Sequence, residues 1–192
     1  MKKIFITIIF FSLCFIRPSQ GDDIKDFQVE GLSIGDSALT ILSLDEIKEY
    51  KRFIYNQKDY YSVAFSLPSF KVYEYVQLNI KSGDQKFIID SIEGGFYLNY
   101  KECKKKKNII ENELKSTFSN LKFSPGRELV EKNVRKETSS YLFFNTSFLD
   151  GGIIRVMCTE WSKQTKDSKG WQDSLRVVIN SKEFNHFLNK EY

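Results

Sequence analysis

The sequence predicts an α+β fold in which a mostly antiparallel sheet carries helices packed on one face. Three observations predict it. Residues 63–67, 73–80, 87–92, 141–148, 153–161 and 174–180 read as strand blocks, several with the two-residue alternation of a half-buried strand. Helical stripes interrupt and close these blocks: Cys103, Ile110, Leu114 and Leu121 recur at intervals of seven, four and seven, and Phe184, Phe187 and Leu188 at i, i+3 and i+4. Short turn sequences join the strands, among them Ser82-Gly83-Asp84 and Asp150-Gly151-Gly152, as antiparallel neighbours require.

Taken in chain order, the first element is an address. Met1-Lys2-Lys3 is basic, Ile4 to Ile16 is apolar except for Thr7 and Ser12, and Ser19 and Gly21 supply small residues at −3 and −1 before Asp22. That is the three-part secretory signal, with cleavage expected after Gly21. A retained anchor is the alternative, but the run falls short of the ~20 apolar residues that span a bilayer. A lipoprotein would need acylation at Cys14, where the preceding Leu13 is not small and the apolar run continues through Phe15-Ile16. Residues 22–192 then form a single α+β domain with no transmembrane segment, in the periplasm or secreted.

Phe27 to Leu32 reads as a short strand or extended approach. Ser33 to Ser37 opens a helical stretch with Asp36 as N-cap; an anion nest at Gly35-Asp36 is the weaker reading, because the Asp36 carboxylate repels an anion. Ser43-Leu44-Asp45-Glu46 is a capping box starting a helix to about Arg52. Val63, Phe65 and Leu67 form a strand that Pro68 stops. Val76, Leu78 and Ile80 face one side of the next strand, with Tyr73, Tyr75, Gln77 and Asn79 on the other, and Phe87 to Ile92 returns as its hairpin partner. Glu93-Gly94-Gly95 reads as a bulge or turn. The main helix covers about Lys101 to Asn120, its lysine-rich start opposed by the helix dipole. Residues 124–138 lack periodicity and read as a mobile loop, and Lys163 to Gly170 as a polar loop. Ser181 caps the last helix. The two helix-then-strands halves share no residue-level similarity, so one domain is expected.

Charge and motifs exclude several functions. Setting aside Lys2, Lys3 and Arg17 leaves 26 basic against 25 acidic residues, which argues against a dedicated nucleic-acid binder. His186 is the one histidine, so standard zinc sites are poorly supplied; no EF-hand, Walker or dinucleotide glycine motif, Gly-x-Ser-x-Gly elbow or Cys-x-x-Cys pair occurs. No metal, cofactor or catalytic residue is therefore expected, though an all-oxygen calcium site leaves no signature in sequence. His186 reads as a surface residue beside the apolar stripe. Cys103 and Cys158 each fall on an inward face; in an oxidising compartment they are most simply a disulfide, the alternative being two buried thiols.

Phe27 to Ser37 with the Ser43–Ile47 box, Lys86 to Leu114 around Cys103, and Val156 to Leu188 around Cys158-Thr159-Glu160-Trp161 and Leu175-Arg176-Val177 resemble small exported proteins of AT-rich marine alphaproteobacteria. Where that group often has an aromatic after the first cysteine and a Trp in the last helix, this chain has Lys104 and Phe187. The resemblance implies an exported, disulfide-linked α+β protein and no particular activity. Gly31 to Ile47 is also similar to small envelope lipoproteins that assist outer-membrane barrel assembly.

Two surfaces are candidate sites. Tyr73, Tyr75, Gln77 and Asn79 would make an aromatic-plus-amide binding face, or an ordinary outer sheet face. Lys104, Lys105, Lys106 and Lys107 would meet an anionic surface, or form a solvated helix start. Asp90 and Glu93 form a carboxylate pair near the double glycine, and Asn145-Thr146-Ser147 is a sequon inside a strand. The reading these support is a non-catalytic binding or envelope-associated protein, with an envelope protein or small ligand as partner. The alternative is a carboxylate-dependent hydrolase of envelope or sugar substrates, whose signature is a distance between carboxylates and so invisible in sequence.

Overall fold

The computed structural model describes residues 23–118, 122–132, 138–148 and 150–191, with side chains for these apart from 117, 125–145 and 191. The expected signal segment, residues 1–21, and Leu121 of the helical stripe lie outside the described residues.

Eight strands form one antiparallel sheet: β1 (Lys51–Arg52), β2 (Tyr60–Phe65), β3 (Tyr75–Lys81), β4 (Ile89–Tyr97), β5 (Lys122–Lys132), β6 (Thr138–Ser147), β7 (Ile153–Glu160) and β8 (Ser174–Asn180), in the order β1-β2-β3-β4-β8-β7-β6-β5. Among the described residues the α-helices are α1 (Leu44–Tyr50), α2 (Tyr100–Thr117), α3 (Lys163–Lys169) and α4 (Lys182–Glu191). The α+β class with an antiparallel sheet is thus as expected. Each half is a helix followed by a four-stranded meander, and the halves join where β4 pairs with β8, from Ser91↔Asn180 to Tyr97↔Ser174.

Alternation decides which face is apolar. Val63 of β2, Leu78 of β3, Ile92 of β4, Val177 of β8 and Val156 of β7 point to one side and are buried. Ile24, Val29, Leu32, Ile34, Ala38 and Leu42 from the N-terminal segment, Ile47 of α1 and Cys103 of α2 cover them in one cluster. Full burial of each such aliphatic side chain is worth ~1.5–3 kcal/mol. The expected disulfide joins Cys103 of α2 to Cys158 of β7, with Cα atoms 5.7 Å apart, and pins the long helix to the sheet. Asn99 caps α2 by accepting from the Glu102 amide, and Glu102 in the first turn offsets part of the lysine–dipole conflict.

Several local expectations are corrected. Of the expected loop 124–138, residues 124–132 and 138 are strand and 133–137 lie outside the described residues: β5 pairs with β6 from Lys122↔Ser147 to Lys132↔Thr138, with a register shift between Ser124 and Arg127 that accommodates Pro125-Gly126 and hid the alternation. Residues 163–169 are helical, capped by Ser162 and ended by Gly170 at φ 67°. Ser37, not Asp36, caps the short 3-10 turn Ala38–Thr40, while Asp36 accepts from the Ser33 amide. The Ser43–Glu46 capping box is present, but its helix ends at Tyr50 and Lys51-Arg52 become β1. Val29 and Leu32 exchange backbone hydrogen bonds across Glu30 (φ 52°) and Gly31 (φ 84°), a tight two-residue turn.

Glu93-Gly94-Gly95 is neither bulge nor turn; it lies inside β4. The register shift falls instead at Asp90, between the Asn79↔Ser91 and Ile80↔Ile89 pairs. The two glycines make room for two rings. A Cβ on Gly94 would meet the Tyr73 ring at 2.6 Å on the apolar side, and one on Gly95 would strike the Tyr75 ring on the other side.

Candidate functional site

The second face of the sheet is polar. At one end α4 packs on it, with Phe184 and Phe187 against Tyr60 and Tyr55. So the last helix lies opposite α1 and α2, and the expectation of helices on one face is corrected: the apolar stripe of α4 finds Tyr55 and Tyr60 on the second face. Beside it, register aligns Ser62, Asn79, Ser91 and Asn180 across β2, β3, β4 and β8. Ser62 Oγ donates to Asn79 Oδ1 at 2.6 Å, Asn79 Nδ2 donates to Ser91 Oγ at 3.1 Å, and Ser91 Oγ donates to Asn180 Oδ1 at 2.7 Å. Tyr55 Oη donates to the same Asn79 oxygen at 3.1 Å. All four residues of this chain are buried. Its role is to satisfy polar groups that burial would otherwise penalise by ~1–3 kcal/mol each.

Farther along this face lies a charged row. Tyr75 Oη donates to Glu93 Oε1 at 3.1 Å, and Glu93 Oε2 is 3.6 Å from Arg176 Nη1. The Arg176 Nη2 donates to Thr159 Oγ1 at 3.2 Å and lies 3.7 Å from the Met157 sulfur. The Arg176 Nε is buried with no hydrogen-bond partner. The Glu93 side chain is 8% exposed and that of Arg176 24%. Arg155 sits on β7 opposite Val178, diagonal to Arg176 on the neighbouring strand. Burial, and then the charge of Arg176, lower the Arg155 pKa from its ordinary value. Burial and the Glu93 carboxylate push the Tyr75 hydroxyl up, with Arg176 opposing, so it stays a donor at neutral pH. Tyr97 packs on Tyr75 with centroids 5.2 Å apart and the rings tilted by 31°. Tyr75, Gln77, Arg155, Met157, Arg176 and Val178 are half-buried, so this part of the face reaches solvent.

The expected aromatic-plus-amide stripe is therefore divided. Tyr75 and Gln77 remain on the accessible face, Asn79 is consumed in the buried chain, and Tyr73 packs on the opposite side against Phe96. The lysine run is divided as well. Lys104 lies over the Tyr100 ring and Lys106 over Phe96, while Lys107 is buried with its Nζ 2.9 Å from Glu111; Lys105 is exposed. Helical rotation spreads four consecutive residues around the axis, so they do not form one patch. Asp90 and Glu93 have separate partners: Asp90 accepts from Ser181 Oγ at 3.4 Å at the start of α4, where burial and Glu183 raise its pKa. His186 is exposed and lines two shallow grooves beside α4, of about 430 and 240 Å³. The side chain of Asn145 lies outside those described.

Among the described residues, no three His, Cys, Asp or Glu side chains converge as metal ligands, and no helix is long and apolar enough to cross a membrane. The accessible face brings together hydrogen-bond donors, two guanidiniums, one buried carboxylate and a tilted tyrosine pair. Sequence reasoning missed Arg155, Thr159 and Arg176 as site residues. The available signal was their outward register in strands 153–161 and 174–180, in a chain with 23 lysines and only 6 arginines. No protein-family model, curated protein or solved structure matches the chain.

Proposed function

We propose that this chain is an exported binding protein that takes its ligand on the polar sheet face, without covalent chemistry. The observation that carries this reading is the Tyr75–Glu93–Arg176–Thr159 row, buried at its base yet open to solvent above. Such a row holds side chains rigidly across four strands, and rigid donors lose little entropy on binding. The Cys103–Cys158 bond fits an oxidising compartment, in keeping with the signal-like start. A small ligand or an envelope component suits a surface of this kind. A hydrolase reading has less support, because its two carboxylates need a shared cleft, whereas Asp90 and Glu93 hold different partners.

Native mass spectrometry of the protein purified from a periplasm tests both parts. The expected result is a chain beginning at Asp22 that gains ~2 Da on reduction. It should carry a non-covalent ligand, lost when Tyr75→Ala and Gln77→Ala open the face. A chain retaining residues 1–21 with two free thiols overturns the export reading. A ligand retained undiminished by the face variants overturns the binding reading.

A further inference from the structure

We propose that Arg155 and Arg176 form an anion-recognition centre for the oxyanion, carboxylate or phosphate, of a small organic ligand whose flat remainder lies along the Tyr75–Tyr97 pair. This rests on the polar sheet face being the binding surface. Four features of that face support it.

First, the Arg176 guanidinium is only partly used. Its two terminal nitrogens address Glu93 and Thr159, the Glu93 contact is long at 3.6 Å, and its buried Nε lacks a partner. With Nε sealed from solvent, an oxyanion would approach the exposed part of this half-buried guanidinium, beside the long Glu93 contact. Second, a second guanidinium lies diagonally beside it, and burial plus mutual repulsion disfavour the Arg155 charge. An anion near both relieves that repulsion. Third, the basic residues in the middle of this face are arginines, although lysine outnumbers arginine 23 to 6 in the chain. Arginine's planar fork matches carboxylate and phosphate bidentately, and lysine's point charge does not. Fourth, the row continues from Arg176 through Gly95 to Tyr75, whose ring lies over Gly95 and packs at a tilt against Tyr97. Glycine at 95 lets that ring lie down, giving a flat apolar wall one strand from Arg176 and two from Arg155. Met157 and Val178 supply an apolar floor between them.

The test is amide chemical-shift titration of the isotope-labelled, disulfide-intact protein at constant ionic strength. The three probes are benzoate, inorganic phosphate and neutral benzamide. Saturable shifts at residues 155–159 and 174–178 are expected with one or both anions. Benzoate saturating ahead of phosphate assigns a carboxylate, and the reverse order a phosphate. Arg155→Gln should weaken binding at least about tenfold. The paired Glu93→Gln/Arg176→Gln variant removes both charges of the ion pair without stranding either, and should weaken it similarly. Tyr97→Ala should weaken benzoate more than phosphate. Anion binding that persists unchanged in both charge variants, or shifts confined to other surfaces, overturns the centre. If benzamide moves these amides while neither anion does, the face binds ligands but the anion centre is wrong. If none of the three probes moves them, the anion centre is refuted, and the binding reading is judged separately by the co-purifying ligand.

Discussion

Replacing Gly95 by alanine should unseat Tyr75, and the loss can be worked from the geometry. A Cβ at Gly95 falls inside the Tyr75 ring, far closer than any real contact, and the ring belongs to the neighbouring strand. Because β3 and β4 are held in register on both sides of this pair, the ring must move rather than the backbone. Moving it breaks the hydrogen bond to the Glu93 carboxylate, worth ~1.5–3 kcal/mol when one partner is charged. It also separates Tyr75 from Tyr97, worth ~0.5–1.5 kcal/mol. Alanine returns ~0.5–1 kcal/mol by removing glycine's backbone entropy. The net expectation is a loss of about 1–4 kcal/mol, read as a lower urea midpoint with unchanged slope. The control is the same substitution in a Tyr75→Ala background, where the ring is absent and Gly95→Ala should cost less than about 0.5 kcal/mol. An equal penalty in both backgrounds, or a Gly95→Ala protein as stable as the parent, would refute the packing argument.

Further outcomes follow from the same structure. Cys103→Ala/Cys158→Ala frees a 55-residue separation and should cost roughly 3–4 kcal/mol in the chain-entropy treatment, seen as a fall in Tm of roughly 10 °C; a fall under about 3 °C would mean that packing alone holds α2 on β7. Glu111→Ala leaves the buried Lys107 ammonium without its carboxylate and should destabilise by ~1–3 kcal/mol, more than Lys107→Met, which removes the charge itself; denaturation of the two variants decides the order. The carboxyls Asp90 and Glu30 should give opposite pH signs. Burial and Glu183 raise the Asp90 pKa, so its native form binds the proton more tightly, and its destabilising effect, present above that raised value, fades as pH falls toward the unfolded value. Asp90→Asn should therefore gain stability relative to the parent at about pH 7 and lose that advantage near about pH 4. For Glu30, burial opposes the shift but the amides of Lys71, Tyr73 and Val72 outweigh it and lower the pKa. Its stabilisation, present above the unfolded value, is lost as pH falls through the lowered one, so Glu30→Gln should flatten that acid limb and speed amide exchange at residues 71–73.

Legibility from sequence followed the range of the interaction. Elements governed by neighbours a few residues away were readable: the Ser43–Glu46 box, the Cys103-centred helix, β8 at 174–180 and the Ser181 start of α4. Elements whose pattern is broken locally were not. Pro125-Gly126 interrupted the alternation of β5, which is a strand because β6 supplies its partner along nine register pairs. The helix at 163–169 buries none of its residues, so it had no apolar stripe to announce it. In the candidate site, Tyr75 and Gln77 stood out as a stripe, whereas Arg155, Thr159 and Arg176 did not. Their meaning depends on β4, β8 and β7 being neighbours, and β4 meets β8 about 80 residues later in the chain.

Residue order by itself determined the alternation of strand faces, the Ser43 and Ser181 helix caps, the inward placement of Cys103 and Cys158, and the α+β class, because each rests on periodicity or on hydrogen bonds between near neighbours. Tertiary structure alone decided that the two meanders join at β4–β8, that Gly94 and Gly95 are seats for rings on opposite faces, and that Asn79 is sealed while Tyr75 is open. It also decided that one carboxylate and two guanidiniums share a surface. The physical reason is that burial and charge depend on which strands lie side by side. That pairing is set by how the whole apolar face closes over Ile24 to Leu42, α1 and α2, and no local window of sequence contains it.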